Sequence, residues 1–258
     1  MSGIKKAFEK GKAFIGFVTG GDPSLEKSYE FILKLVEGGA DLVEIGVPFS
    51  DPIAEGEVIQ RANIRALNAG ATVDGIFELV RRVRKVSDIP LALLTYLNPV
   101  FYRGYSEFFS ECKSAGVDGV IIPDLPFEER GEVLPDANEN GVDVISLIAP
   151  TSKDRIKSIA ADASGFVYIV SSMGVTGVRS DIETDLKEII DSARAVSSTP
   201  VAVGFGVSTP EQAKNIAKIA DGVIVGSAVV KLIAEHGGNA GEYVREYAEI
   251  MKNAIRNA

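Results

Sequence analysis

Histidine and cysteine are nearly absent, one of each in 258 residues. The lone Cys112 excludes an internal disulfide framework and a cysteine-rich metal site. The lone His236 excludes a multi-histidine metal centre, so no metal is expected. Any Ser-His-Asp triad would have to use His236 itself. That residue stands in Ala234-Glu235-His236-Gly237-Gly238. The segment reads as a helix end, where a histidine completes the last turn and glycine follows it. Cys112 follows Phe108 and Phe109 in a helical stretch. It reads as core or helix surface rather than as a nucleophile.

Positive charge is also scarce. Lys+Arg number 27 against 36 Asp+Glu, a formal charge of −9. A nucleic-acid or anionic-membrane binder draws its affinity from clustered Lys and Arg, so neither class is expected. A bound phosphate would have to be held mainly by backbone N–H groups. Long apolar runs are missing too. The N-terminal run 13–18 stops at Thr19-Gly20-Gly21. It is too short for a signal-peptide core and far below the ~18 apolar residues of a membrane span. The expected location is cytoplasmic. Neither G-x-G-x-x-G nor G-x-x-x-x-G-K-[ST] occurs, which removes the usual dinucleotide and nucleotide loops.

What the chain does have is a repeat. Short apolar runs recur at 13–18, 41–47, 90–97, 118–122, 143–148, 165–170, 200–205 and 221–225, each led in by Gly, Pro or Asp or by the basic N-terminal segment. Many are rich in β-branched residues, as buried parallel strands require. Between them lie helical patterns such as Leu25-Tyr29-Ile32-Leu33-Val36, Ile76-Leu79-Val80-Val83 and Ile182-Leu186-Ile189-Ile190. Gly38-Gly39, Gly116 and Gly141 mark helix ends. Strand–helix alternation gives a parallel sheet, and about eight units in this length predict an α/β fold closed as a (β/α)8 TIM barrel. An open doubly wound sheet is the alternative. No linker or composition break appears, so residues 1–258 read as a single domain. Residues 1–10 read as a short amphipathic helix (Ile4, Ala7, Phe8) that closes the barrel bottom.

Chemistry in such barrels sits where strands run out into the following loops. Three glycine-rich segments follow the last three strands: Gly174-Val175-Thr176-Gly177, Gly204-Phe205-Gly206-Val207-Ser208 and Gly226-Ser227. Any βα turn can want a glycine, but three sites at one end read as a phosphate cradle with a helix N-terminus at Gly226-Ser227. In Asp41-Leu42-Val43-Glu44-Ile45-Gly46-Val47 the period of two places Glu44 with Leu42 and Gly46, on the face opposite the β-branched set. Glu44 should therefore point into the barrel mouth, where apolar surroundings raise its pKa toward acid/base use. The structural alternative is a Glu paired inside the barrel, and no Lys or Arg lies on an inward strand position to pair with it. The segment 48–57, rich in Pro, Gly and acids, reads either as a long lid-like loop or as a solvated turn.

Val43-Glu44-Ile45-Gly46-Val47-Pro48-Phe49-Ser50-Asp51-Pro52-Ile53-Ala54 resembles the signature of the tryptophan synthase alpha chain family. Supporting segments occur in the family's order over nearly the whole chain. They are Phe17-Val18-Thr19-Gly20-Gly21-Asp22-Pro23, Tyr96-Leu97-Asn98-Pro99, Pro123-Asp124-Leu125-Pro126, Gly174-Val175-Thr176-Gly177 and Gly226-Ser227-Ala228. The resemblance implies a barrel lyase that cleaves indole-3-glycerol phosphate to indole and glyceraldehyde 3-phosphate, with no cofactor of its own. It implies a beta-chain partner carrying pyridoxal phosphate, in a complex of two alpha and two beta chains.

By the same resemblance Glu44 is the general acid/base and Glu55 the carboxylate on the indole N–H, with Thr176 as its lid partner. Gly177, Gly206, Gly226 and Ser227 match the phosphate site. Phe17, Ile59, Leu94, Tyr96, Ile121, Tyr168 and Phe205 match the indole pocket. Pro48, Phe49, Asp51, Asn98, Asp124 and Pro126 fall on the face that meets the beta chain. Position 55 departs from the family, which usually has Asp there, and Glu57 stands where Pro is common. Two other readings compete: a weakly active chain that mainly activates a beta partner, and another phosphate-binding barrel lyase or isomerase. A Schiff-base aldolase would need a Lys inside the barrel, and the predicted strands hold none.

Overall fold

Along every strand the side chains alternate between two apolar environments. Val43, Ile45 and Val47 join the large cluster beneath the helices, whereas Leu42 joins a separate cluster inside the sheet. The strands carry no Lys or Arg. Both faces are therefore buried, the pattern of a parallel sheet wrapped by helices. The structure is a computed structural model. It describes residues 3–171, 179–204 and 206–258, with backbone alone at 153 and 179–185.

Nine strands are described: β1 (Ala13–Thr19), β2 (Leu42–Gly46), β3 (Leu91–Leu94), β4 (Gly119–Ile121), β5 (Asp143–Val144), β6 (Ser146–Ile148), β7 (Val167–Val170), β8 (Val201–Gly204) and β9 (Gly222–Val225). All pair in parallel, in the order β5-β4-β3-β2-β1-β9-β8-β7-β6. The two ends of that order are separated in the chain by Ile145 alone, whose N–H donates to the Val120 carbonyl at 2.9 Å. The sheet is thus a (β/α)8 barrel whose fifth strand, read as one run at 143–148, is broken at Ile145.

The helices are α1 (Leu25–Glu37), α2 (Glu57–Asn68), α3 (Val73–Arg84), α4 (Leu97–Arg103), α5 (Tyr105–Ala115), α6 (Leu134–Asn140), α7 (Ile156–Ala161), α8 (Arg179–Arg194), α9 (Pro210–Ile219), α10 (Ser227–His236) and α11 (Gly241–Arg256). Ser24, Thr72 and Thr209 cap α1, α3 and α9 with their side-chain oxygens. Gly116 and Gly141 end α5 and α6 in the left-handed conformation. At the end of α1 it is Gly39, not Gly38, that takes positive φ.

One expectation needs correction. The run 90–97 is strand only to Leu94, and Leu97 opens α4. The cause is tertiary: the Asp124 carboxylate, from the loop after β4, accepts the Leu97 N–H at 2.9 Å and starts the helix. The short N-terminal helix is of the 3-10 type, over Gly3–Phe8. It plugs the bottom as expected, with Ile4 and Ala7 in the interior cluster and Phe8 against Phe166. His236 ends α10 and stacks on Tyr243, and Cys112 is buried in α5, where burial pushes its thiol pKa up.

Candidate active site

The barrel interior is filled at the bottom by the cluster around Ile4, Ala7 and Phe166, and a cavity lies at the strand C-termini. There the inward residues Phe17, Glu44, Leu94, Tyr168 and Ile224 line a cavity of about 180 Å3. Two inward glycines make room for its walls. A Cβ on Gly46 would meet the Phe17 ring at 2.6 Å, and one on Gly204 would meet the Tyr168 hydroxyl at 2.6 Å. The cavity also touches Ala54, Glu55, Gly56 and Ile59 from the segment after β2, and Gly206, Gly226 and Ser227 from the loops after β8 and β9. One small space therefore holds both carboxylates and the glycine-rich end. A second, larger cavity of about 420 Å3 shares Ala54, Glu55, Leu94 and Tyr168 and continues along Leu125, Phe127 and Leu147.

Glu44 sits in register between Phe17 on β1 and Ala92 on β3. It is 1% exposed, and its Oε1 has no hydrogen-bond partner among the described residues. A carboxylate buried without a partner pays the full cost of desolvation, so the neutral form is favoured. Burial pushes its pKa up to about 8. Among the described residues the paired-Glu alternative finds no support: the side chain points inward, and Oε1 has no partner there. Tyr168 lies deep in the same space, its pKa raised by burial and then by Glu44.

Glu55 reaches the cavity from the segment between β2 and α2. The Asn63 amide donates to its Oε2 at 2.6 Å. Burial raises the Glu55 pKa, and the Asn63 hydrogen bond pulls it back. The segment is exposed at Ile53, Ala54, Gly56 and Glu57 but is tied to the barrel on either side of Glu55. The Ala54 N–H donates to the Tyr96 hydroxyl at 3.1 Å, and the Gln60 amide donates to the Glu55 carbonyl at 2.7 Å.

At the glycine end, Gly226 precedes α10, and Gly206 adopts a φ of 80°. No described side chain caps the first turn of α10, and Gly226 and Ser227 at its start line the cavity. Thr176, Gly177 and Phe205 lie outside the described residues.

The other anticipated residues divide. Phe17, Ile59, Leu94 and Tyr168 line the cavity. Tyr96 and Ile121 do not. Tyr96 lies behind the loop, stacked on Phe49 with its hydroxyl on Ala54, and Ile121 is packed in the interior cluster. On the outer rim Asp51, Asn98 and Pro126 are exposed, Phe49 and Asp124 are half-buried, and Pro48 is buried. Among the described residues no group of three or more His, Cys, Asp or Glu side chains is placed to hold a metal ion.

The tryptophan synthase alpha chain family model matches residues 4–257. This chain belongs to the tryptophan synthase alpha chain family. It is 48% identical over 258 residues to the alpha chain of Thermoanaerobacter sp. (strain X514), covering 98% of each chain. It is 44% identical over 255 residues to that of Lacticaseibacillus casei, covering 99% of this chain and 96% of the relative. The crystal structure of subunit alpha from Legionella pneumophila superposes with a TM-score of 0.91 at 37% identity over the full length of both chains. A Pyrococcus furiosus structure described as the a2b2 complex of tryptophan synthase superposes at 0.86 with 36% identity, covering 94% of this chain and 99% of that one.

Within this family member the sequence reading missed the residues that support Glu55. Asn63 is a buried polar residue on α2, 2% exposed. Two positions on, Arg65 makes a bidentate pair with buried Asp22 at 2.8 and 2.7 Å, tying α2 to the loop after β1. The available signal was an Asn in the spacing Ile59, Ala62, Ala66, a helical stripe not among those singled out from the sequence. A polar residue on an inward helical face asks for a partner.

Proposed function

We propose that this chain is the alpha subunit of tryptophan synthase, a carbon–carbon lyase of tryptophan biosynthesis that cleaves indole-3-glycerol phosphate by retro-aldol chemistry. The observation that carries the reading is one buried glutamate on a strand end, its Oε1 without a partner among the described residues, in the same cavity as a second carboxylate and a glycine-rich helix start.

The reaction must protonate indole C3, stabilise the cationic ring that results, and deprotonate the hydroxyl on the adjacent carbon. Glu44 is neutral at pH 7, so it can give its proton to C3. Now anionic, it takes the hydroxyl proton as the C–C bond breaks and the bonding electrons return to the ring. Indole and the aldehyde leave, and Glu44 ends protonated for the next turnover. Glu55 carries the opposite duty, a negative charge against the ring N–H. The environments set the two roles: burial raises both carboxyls, but only Glu55 has a described hydrogen bond, from Asn63, that offsets part of the rise and favours its charged form. Phe17, Ile59, Leu94 and Tyr168 flank the ring, and Gly206, Gly226 and Ser227 receive the phosphate at the N-terminus of α10. No cofactor enters any step in this chain; pyridoxal phosphate belongs to the beta chain.

The beta chain is the proposed partner, in a complex of two alpha and two beta chains. Its face is marked by large apolar side chains exposed beside Asp51 and Asn98: Ile53 at 77%, Phe101 at 68% and Tyr102 at 92%. No helix among the described residues is long and apolar enough to cross a membrane. The test is indole release from indole-3-glycerol phosphate by the purified chain, with and without a beta chain. Glu44→Gln should lower turnover by roughly 10²–10⁴-fold while the fold is kept. A variant within threefold of wild type would remove Glu44 from the mechanism.

A further inference from the structure

A carboxylate on a loop has rotamer freedom that must be lost before it can meet a substrate atom. In this chain the loop backbone is held twice, by Tyr96 on the Ala54 N–H and by Gln60 on the Glu55 carbonyl. Only one described contact grips the carboxylate itself. Asn63 donates to Oε2 at 2.6 Å, which leaves Oε1 free to accept a second donor. Asn63 is itself held, because it is buried between Ala62 and Ala66 on α2 and that helix is clamped through Arg65 to Asp22.

The chemistry of the grip matters as much as its place. A Lys or Arg at this point would hold the carboxylate and cancel its charge. An amide donates a hydrogen bond to the ionised form and leaves the charge in place. Among the described residues the other titratable or charged groups near Glu55 are Glu44 and Tyr168 across the cavity, Tyr96 behind the loop, Arg130 and Arg155 in the adjoining cavity, and Asp51, Glu57 and Arg61 nearby in the chain, the last two paired with each other.

We propose that Asn63 is a positioning residue that holds Glu55 anionic and fixes one of its oxygens, so that the other meets the indole N–H. It also accounts for a glutamate at position 55. The extra methylene is taken up by folding the side chain back onto α2, where Asn63 sets its end point. This inference rests on Glu55 being the group that faces the ring nitrogen.

The experiment is a double-mutant cycle read by kcat/KM against pH, using the purified full chain with its beta partner. Asn63→Ala should lower kcat/KM roughly 10–100-fold, as expected for loss of a hydrogen bond to a charged group. It should also move the acidic limb of the profile upward, because the ionised form of Glu55 loses its donor. In a Glu55→Gln background the same change should have an effect of less than about twofold. The Glu55 carboxyl pKa, followed by 13C NMR and assigned by its loss in Glu55→Gln, should rise in Asn63→Ala.

An equal loss in both backgrounds, or an unmoved Glu55 titration, overturns the proposal by making Asn63 merely structural. So does an Asn63→Ala profile that matches wild type while Glu55→Gln is silent, and in that case the role of Glu55 survives. Full activity in Glu55→Gln removes the reading beneath it, and the proposal with it. Should Asn63→Ala fail to fold, Asn63→Gln carries the same cycle, since it keeps the amide and displaces it by one bond.

Discussion

Glu44 and Glu55 face one cavity from two kinds of backbone. Glu44 is fixed by the ladders on both sides of β2, so its direction follows from strand pleat alone. Its surroundings are apolar, and nothing described pairs with Oε1. Glu55 comes from a segment with no regular structure, and its direction follows from contacts made by Tyr96, Gln60 and Asn63. A strand can hold a group in a hostile environment because the sheet bears the cost. A loop group needs its own partners. Burial favours the neutral form of both carboxyls, and only Glu55 has a described donor that works against it.

The comparison can be broken first at Glu44, where the largest effect on stability is expected. Its folded-state pKa is raised from 4.5 to about 8. The unfolded chain thus releases the proton near pH 4.5, while the folded chain retains it until about pH 8. Stability from this group should fall as pH rises through that window and then level off. The expected drop is on the order of a few kcal/mol. Glu44→Gln should flatten the corresponding part of a denaturant-midpoint profile between pH 5 and 8. A wild-type profile with no such slope, or one unchanged in the variant, would show that Glu44 is ionised and paired in the fold.

Next in size is Glu55→Asp. The shorter side chain cannot hold Asn63 and the ring nitrogen from the same backbone position. A misplacement near 1 Å should cost roughly 10–100-fold in kcat/KM, carried in the rate rather than in folding. Activity equal to or above wild type would show that the loop, not the side chain, sets the geometry. The smallest effect is expected for Tyr96→Phe, which removes the hydroxyl that accepts the Ala54 N–H. Thermal stability should fall by about 1 kcal/mol, and kcat/KM should fall only a few-fold. If Tyr96→Phe costs more than Glu55→Asp, the loop anchor outranks the carboxylate's own length, and the contrast between the two acids narrows.

Legibility in the sequence followed the same division. The barrel, its eight strand positions and the inward aim of Glu44 are local facts. They depend on runs of apolar residues and on a period of two, both visible in the chain. The start of α4 was not legible, because its cap, Asp124, comes from another loop. The break at Ile145 in the fifth strand was not legible either, since 143–148 is uniformly compatible with a strand. Tyr96 was placed in the pocket by family pattern, whereas the structure puts its hydroxyl on the loop backbone behind the pocket.

By itself the sequence determined the fold class, the end of the barrel where chemistry sits, and the identity of the strand-borne acid. Each of these follows from composition and spacing, which act over a few neighbouring residues. Only the tertiary structure decided that Glu44 Oε1 has no partner among the described residues, that Glu55 is gripped by Asn63, and that both share a cavity with Gly206, Gly226 and Ser227. The reason is physical: desolvation and hydrogen-bond satisfaction depend on every group that surrounds a side chain. In a barrel those groups come from strands and loops far apart in the chain.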